Sequence, residues 1–191
     1  MRFSDGSVLQ LYPQTIQEFD LYPGRELSDR DMHKLLTAVG AMSAKMRAVR
    51  ILAATSVSKK DLEHRLVQKG EDPNQAQEAV TWLSKMDLLD DKKTGEQIVQ
   101  RCVTKGYGVQ RAKQMLYEKR IPKEYWDEIL EGYPAQREKI EEFIRDRLGD
   151  SRDPKELRRV TDALIRRGHS YGEIRQVFAT LNFESDDLPE E

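Results

Sequence analysis

Ser58-Lys59-Lys60-Asp61-Leu62-Glu63-His64-Arg65-Leu66-Val67-Gln68-Lys69-Gly70-Glu71-Asp72-Pro73 is the stretch whose grammar decides the fold. It opens with a hydroxyl and, three residues on, a carboxylate, the spacing of a helix N-terminal capping box. Leu62 and Leu66 follow on one helical face. Lys69-Gly70 stops the helix, because glycine takes a left-handed C′ conformation without a Cβ penalty. Asp72-Pro73 then starts another helix, with proline where its missing N–H costs nothing. The stripe of that next helix is Ala76, Ala79, Val80 and Leu83, and it runs out near Leu88-Leu89-Asp90-Asp91.

The same grammar recurs downstream. Asp153-Pro154-Lys155-Glu156 starts a helix with the stripe Leu157, Val160, Leu164 and Ile165, which Arg167-Gly168 ends. Ser170-Tyr171-Gly172-Glu173 is a second capping box, followed by Ile174, Val177, Phe178 and Leu181. Gly70 and Gly168 stand 98 residues apart, twice 49, and the mid-point is Lys119 beside Arg120-Ile121-Pro122. Ala112, Met115 and Leu116 precede this junction; Tyr125, Trp126, Ile129 and Leu130 follow it, with Pro122 expected at N1. A period near fifty residues with three helices per period predicts an all-α chain of three tandem three-helix repeats forming an elongated, curved array. The expected bounds are 1–43 for an N-terminal segment, 44–91, 92–134 and 135–183 for the repeats, and 184–191 for a disordered acidic tail. In the N-terminal segment, Asp5-Gly6 and the runs Val8–Tyr12 and Ile16–Tyr22 predict a small β-hairpin, and Ser28 with Asp31 starts a helix.

Composition narrows the function. Hydrophobic residues make up 38% and charged residues 35%, an apolar supply suited to units that pack only on neighbours. The single cysteine, Cys102, excludes an internal disulfide and fits a reducing, cytoplasmic setting. Neither a signal peptide nor an apolar stretch of the ~20 residues needed to span a bilayer is present. His33, His64 and His169 are widely separated, and Walker, GxSxG and HExxH patterns are absent, so no enzyme activity, metal or cofactor is expected. Asp90-Asp91 is expected to cap a helix rather than bind a metal. Trp82, Tyr125 and Trp126 lie on apolar stripes and are expected in the core.

Charge is distributed unevenly. Residues 92–120 carry eight basic residues, Lys92, Lys93, Arg101, Lys105, Arg111, Lys113, Lys119 and Arg120, against Glu96 and Glu118. Residues 151–180 are net +3 and residues 121–150 net −4. A cationic stretch in a chain of net charge −2 can neutralise phosphates or meet an acidic protein surface. Lys105-Gly106-Tyr107-Gly108 joins two helices as a C-cap turn with an exposed tyrosine, and Tyr107 is placed to stack on a base or a partner ring.

Taken in order, the stretch Ser58–Gly70, then Leu83 and Leu88-Leu89-Asp90-Asp91, then Lys105-Gly106-Tyr107-Gly108, then Arg166-Arg167-Gly168-His169-Ser170-Tyr171, resemble the RecX family, bacterial regulators of the RecA recombinase. Thr94-Gly95 stand where that family usually has an aromatic and an alanine, which predicts a late start for the second repeat's first helix, and His169 stands where it usually has an aromatic. The resemblance implies a monomeric, non-enzymatic regulator that lies in the groove of the RecA–single-stranded DNA filament and suppresses strand exchange and ATP hydrolysis. The charge pattern nominates, for contact with DNA phosphates or acidic RecA loops, Lys92, Lys93, Lys105, Tyr107, Arg111, Lys113, Lys119 and Arg120, with Arg166 and Arg167 second. The alternatives are a general nucleic-acid-binding helical module that needs no RecA and a scaffold using the acidic 121–150 surface.

Overall fold

The computed structural model describes residues 1–149 and 151–183. Among these the chain is mostly α-helical: α1 (Pro13–Glu18), α2 (Asp29–Ala54), α3 (Lys59–Gln68), α4 (Pro73–Lys85), α5 (Asp91–Thr104), α6 (Val109–Glu118), α7 (Trp126–Leu130, led by a 3₁₀ turn Lys123–Tyr125), α8 (Arg137–Leu148), α9 (Pro154–Arg166) and α10 (Tyr171–Thr180). The chain divides into two compact units, Met1–Asp90 and Asp91–Glu191.

Local chemistry starts and stops these helices. Ser28 and Ser58 accept hydrogen bonds from the Asp31 and Asp61 amides at the starts of α2 and α3, and Asp72 accepts from the Asn74 and Gln75 amides at the start of α4. Asp153 accepts from the Lys155 amide, and Ser170 and Glu173 complete a reciprocal capping box on α10. We expect Ser170→Ala to cost about 1–2 kcal/mol, because it strands one amide donor of the first turn; the midpoint of urea unfolding measures it. At their ends, α3, α5, α6 and α9 close with paired i→i−3 and i→i−5 amide bonds around one left-handed residue. That residue is Gly70, Gly106 and Gly168 for α3, α5 and α9. For α6 it is Arg120, at φ +55, so the middle junction keeps the geometry of the other stops without their glycine.

The first unit has one core, in which α2, α3 and α4 bury Ala44, Ala48, Leu62, Leu66, Ala76, Ala79 and Leu83. Arg47 of α2 reaches the α3 stop, where it pairs with the almost buried Glu71 at 2.6 Å and donates to the Lys69 carbonyl. The second unit has two cores. One gathers Ile98, Val99, Cys102, Ala112, Leu116, Ile121 and Ile129 from α5, α6 and α7. The other gathers Ile140, Ile144, Leu157, Leu164, Ile174, Val177 and Phe178 from α8, α9 and α10. Each fully buried Leu, Ile or Phe contributes roughly 1.5–3 kcal/mol.

Several expectations are corrected. The N-terminal β-hairpin does not form: among the described residues a single bridge joins Arg2 to Val8. The Asp5-Gly6 turn is present, with the Ser7 amide donating to Asp5, but Pro13 opens α1 instead of ending a strand. Ile16 and Phe19 are three residues apart, a spacing that suits a helical face as well as a strand run. α2 runs unbroken across the expected boundary between residues 43 and 44. α5 is not late: it starts at Asp91, and Thr94 and Gly95 are buried within it. A Cβ on Gly95 would lie 2.6 Å from Ile129 Cδ1 of α7, so that side-chain tip packs directly against the glycine. Pro122 precedes the 3₁₀ turn instead of occupying N1 of an α-helix. On α9, Thr161 is buried and Ile165 is exposed, shifting the stripe. The acidic 184–191 segment lies outside the described residues.

Candidate functional site

The second unit holds the feature that organises its surface, a backbone clasp between two helix stops. The α5 stop, Gly106-Tyr107-Gly108, lies against the α9 stop, Arg167-Gly168-His169. The Gly108 amide donates to the Arg167 carbonyl at 2.9 Å, and the Gln110 amide donates to the Gly168 carbonyl at 3.2 Å. A Cβ on Gly108 would stand 2.0 Å from the Gly168 oxygen, and one on Gly168 would stand 2.2 Å from the Arg111 nitrogen. Only glycine at both places lets the two backbones approach this closely.

Side chains lock the clasp. Arg167 Nη2 donates to the Lys105 carbonyl at 3.0 Å, and its guanidinium lies over the rings of Tyr107 and Phe143, 5.2 and 5.0 Å from their centres. The Tyr133 hydroxyl donates to the Tyr107 carbonyl at 2.7 Å, and burial pushes the Tyr133 phenol up to about 12. His169 is 4% exposed, with Nε2 3.1 Å from the Gly106 carbonyl and Nδ1 without a hydrogen-bond partner. Burial is the largest influence on the imidazole and lowers its pKa; the Gly106 contact and Glu173 oppose this in part, while Arg167 adds to it.

The nominated residues therefore fall into different settings. Lys105, Tyr107, Arg111 and Arg167 come together at the clasp, where Tyr107 and Arg167 serve intramolecular contacts; Tyr107 is half-buried, not exposed. Arg111 meets Gln114 at 2.8 Å and Glu118 at 3.8 Å. Lys92 pairs with Glu128 of α7. Lys93 is exposed on the first turn of α5, while Lys119 and Arg120 are half-buried in the α6 stop. Lys113 and Arg166 are exposed on α6 and α9.

Two surface features escaped the sequence reading. Tyr117 is 70% exposed on α6, one turn beyond Lys113; its signal was its position off the Ala112–Leu116 stripe. On α9, Lys155, Arg158, Arg159 and Arg166 are all exposed. At 3.6 residues per turn these four fall within an arc of roughly 100°, opposite buried Leu157, Val160, Thr161 and Leu164. Asp162 is the one acid inside that arc. Among the described residues no three His, Cys, Asp or Glu side chains gather as metal ligands, and no helix is long and apolar enough to cross a membrane.

Fold and surface define an all-α protein of short capped helices whose polar chemistry lies in backbone clasps and exposed cations. No protein-family model matches the chain. Its relatives include regulatory protein RecX of Halorhodospira halophila, 26% identical over 81% of this chain and 99% of the relative. RecX of Trichlorobacter lovleyi is 29% identical over 70% and 92%, and RecX of Clostridioides difficile 24% over 96% and 90%. A crystal structure of regulatory protein RecX superposes with a TM-score of 0.67 at 17% identity, covering 87% of this chain and 85% of that one. RecX from Lactobacillus salivarius gives 0.61 at 22%, covering 76% and 98%. Along most of its length the chain is thus similar to proteins named regulatory protein RecX, and it shares their fold.

Proposed function

We propose that this protein is a non-enzymatic regulator of RecA, organised as three three-helix repeats, that binds the RecA–single-stranded DNA filament and suppresses strand exchange and ATP hydrolysis, so modulating recombination and repair. It acts in the cytoplasm as a monomer, without a cofactor. The observation that carries this reading is the match to proteins named regulatory protein RecX along nearly their whole length, 99% for the Halorhodospira relative. The exposed cations Lys93, Lys105, Lys113 and Arg166 support it, because a filament bearing DNA presents phosphates that such groups neutralise. The half-buried Lys119 and Arg120 at the α6 stop add to that positive charge, whereas Lys92 and Arg111 already face Glu128 and Glu118.

The test is RecA ATPase on single-stranded DNA, with this protein added well below the RecA concentration. The expected result is a progressive fall in hydrolysis rate and shorter filaments by electron microscopy. Unchanged hydrolysis at equimolar protein would overturn the reading. Tight binding to nucleic acid without any effect of RecA would favour the general nucleic-acid-binding module instead.

A further inference from the structure

We infer that the exposed face of α9 is a binding site for the phosphate backbone of single-stranded nucleic acid. The inference rests on the regulatory reading above for its biological setting and on the geometry of α9 for its chemistry. Lys155, Arg158, Arg159 and Arg166 share one face, and none has an ion pair or side-chain hydrogen bond among the described residues. From Lys155 to Arg166 the row extends about 16 Å along the helix axis. The acids nearby do not cancel it. Glu156 lies off the cation face and accepts from the Ser151 hydroxyl at the start of α9, leaving Asp162 alone among four cations.

The second unit's other basic surface is different. There Lys92 and Arg111 already face Glu128 and Glu118. The net charge of residues 92–120 therefore overstates what they offer a ligand, and the smaller net charge of residues 151–180 understates it.

The row's composition selects its occupant. Three of the four cations are arginines, whose planar guanidinium can grip phosphate oxygens through two parallel N–H donors. An acidic protein partner would need an apolar or aromatic anchor at the centre of the contact. The face offers one such group, Ile165, at its edge. A phosphate backbone needs only cations in a row, and its affinity comes from counterion release. Without a ring on the face, the contact is to backbone and indifferent to base sequence.

The experiment compares the full-length protein with Arg158→Gln/Arg159→Gln and with Lys113→Gln, titrating a fluorescently labelled oligothymidylate across a salt series and assaying RecA ATPase in parallel. Both arginines lie on the solvent face, so circular dichroism and urea midpoints should match those of the parent. Each single-strand phosphate contact contributes about 0.7 to the slope of log affinity against log salt. The double variant should lose about 1.4 from the slope and bind about tenfold more weakly or worse, and Lys113→Gln should change both less. Unchanged oligothymidylate affinity and slope in the folded double variant would overturn the inference. So would weakened RecA inhibition with oligothymidylate binding intact, which would assign the face to an acidic protein surface. Loss of oligothymidylate binding in the variant, with a parent protein that leaves RecA untouched, supports the phosphate face while sinking the regulatory reading.

Discussion

Gly108→Ala should destabilise the protein by about 3–5 kcal/mol, a large share of the ~5–15 kcal/mol that holds a typical domain. The backbone at Gly108, φ −77 and ψ 164, suits any residue, so the cost does not come from conformational strain. It comes from space. The new Cβ would have to stand 2.0 Å from the Gly168 oxygen, and that oxygen belongs to backbone that cannot swing aside like a side-chain tip. The loops must separate. Separation breaks the Gly108–Arg167 and Gln110–Gly168 hydrogen bonds and loosens the Arg167 and His169 contacts with Lys105 and Gly106. Each lost bond costs about 0.5–1.5 kcal/mol, and each buried group left unpaired about 1–3.

Two control substitutions separate this mechanism from general intolerance of alanine. Gly70→Ala meets open space but takes a left-handed conformation, φ +89, so its cost should be limited to about 1–2 kcal/mol of backbone strain. Gly172→Ala lies in α10 with open space and an ordinary φ, and it should stabilise by about 0.5–1 kcal/mol. Urea unfolding of the three variants gives the ranking. Equal costs at Gly108 and Gly70 would show that the clasp contributes nothing beyond local turn geometry.

That clasp marks where the sequence stops being informative. The stops themselves were legible, because a left-handed glycine after a basic residue is a local signal, as at Lys69-Gly70 and Arg167-Gly168. That Gly108 is a glycine because of Gly168, sixty residues away, was not, since a backbone-to-backbone contact leaves no pattern of side chains. The middle stop was placed at Lys119, but the left-handed residue is Arg120, held there despite its Cβ by its own amide bond to the Tyr117 carbonyl and by the Ile121 amide bond to the Leu116 carbonyl. The basic composition of the candidate surfaces was legible in the sequence, and their spatial distribution was not. Counting charge over residues 92–120 cannot see Glu128, which neutralises Lys92 from thirty-six residues away. On α9 the apolar stripe was nearly right, and the face opposite it followed from the same helical period, but charge was summed along the chain instead of around the helix. The N-terminal hairpin failed for another reason: a short apolar run fits either period, and Pro13 initiates a helix as readily as it ends a strand.

Acidification should weaken the second unit through His169. In the folded protein the imidazole is neutral, because burial among the α5 stop and α10 disfavours its charged form. Nε2 faces the Gly106 carbonyl as donor, which leaves Nδ1 as the bare nitrogen. A proton added there would have no acceptor and would place a cation beside the Arg167 guanidinium, and Glu173, which acts on the imidazole in the opposite sense, is already engaged in the α10 capping box. The folded pKa therefore lies below the unfolded value of about 6.5. Between those two values the unfolded chain binds the extra proton, so stability is complete above about pH 6.5 and declines as pH falls through the window beneath it. One proton sets the steepest slope, about 1.4 kcal/mol per pH unit. His169→Gln keeps an amide donor for the Gly106 carbonyl and cannot be charged. Urea midpoints measured from pH 7 downward should fall more steeply for the parent protein than for His169→Gln, with the two curves diverging below about pH 6.5. Parallel curves would mean that the imidazole is already free to take its proton in the folded clasp, through an opening of the Gly106 and His169 loops that costs little.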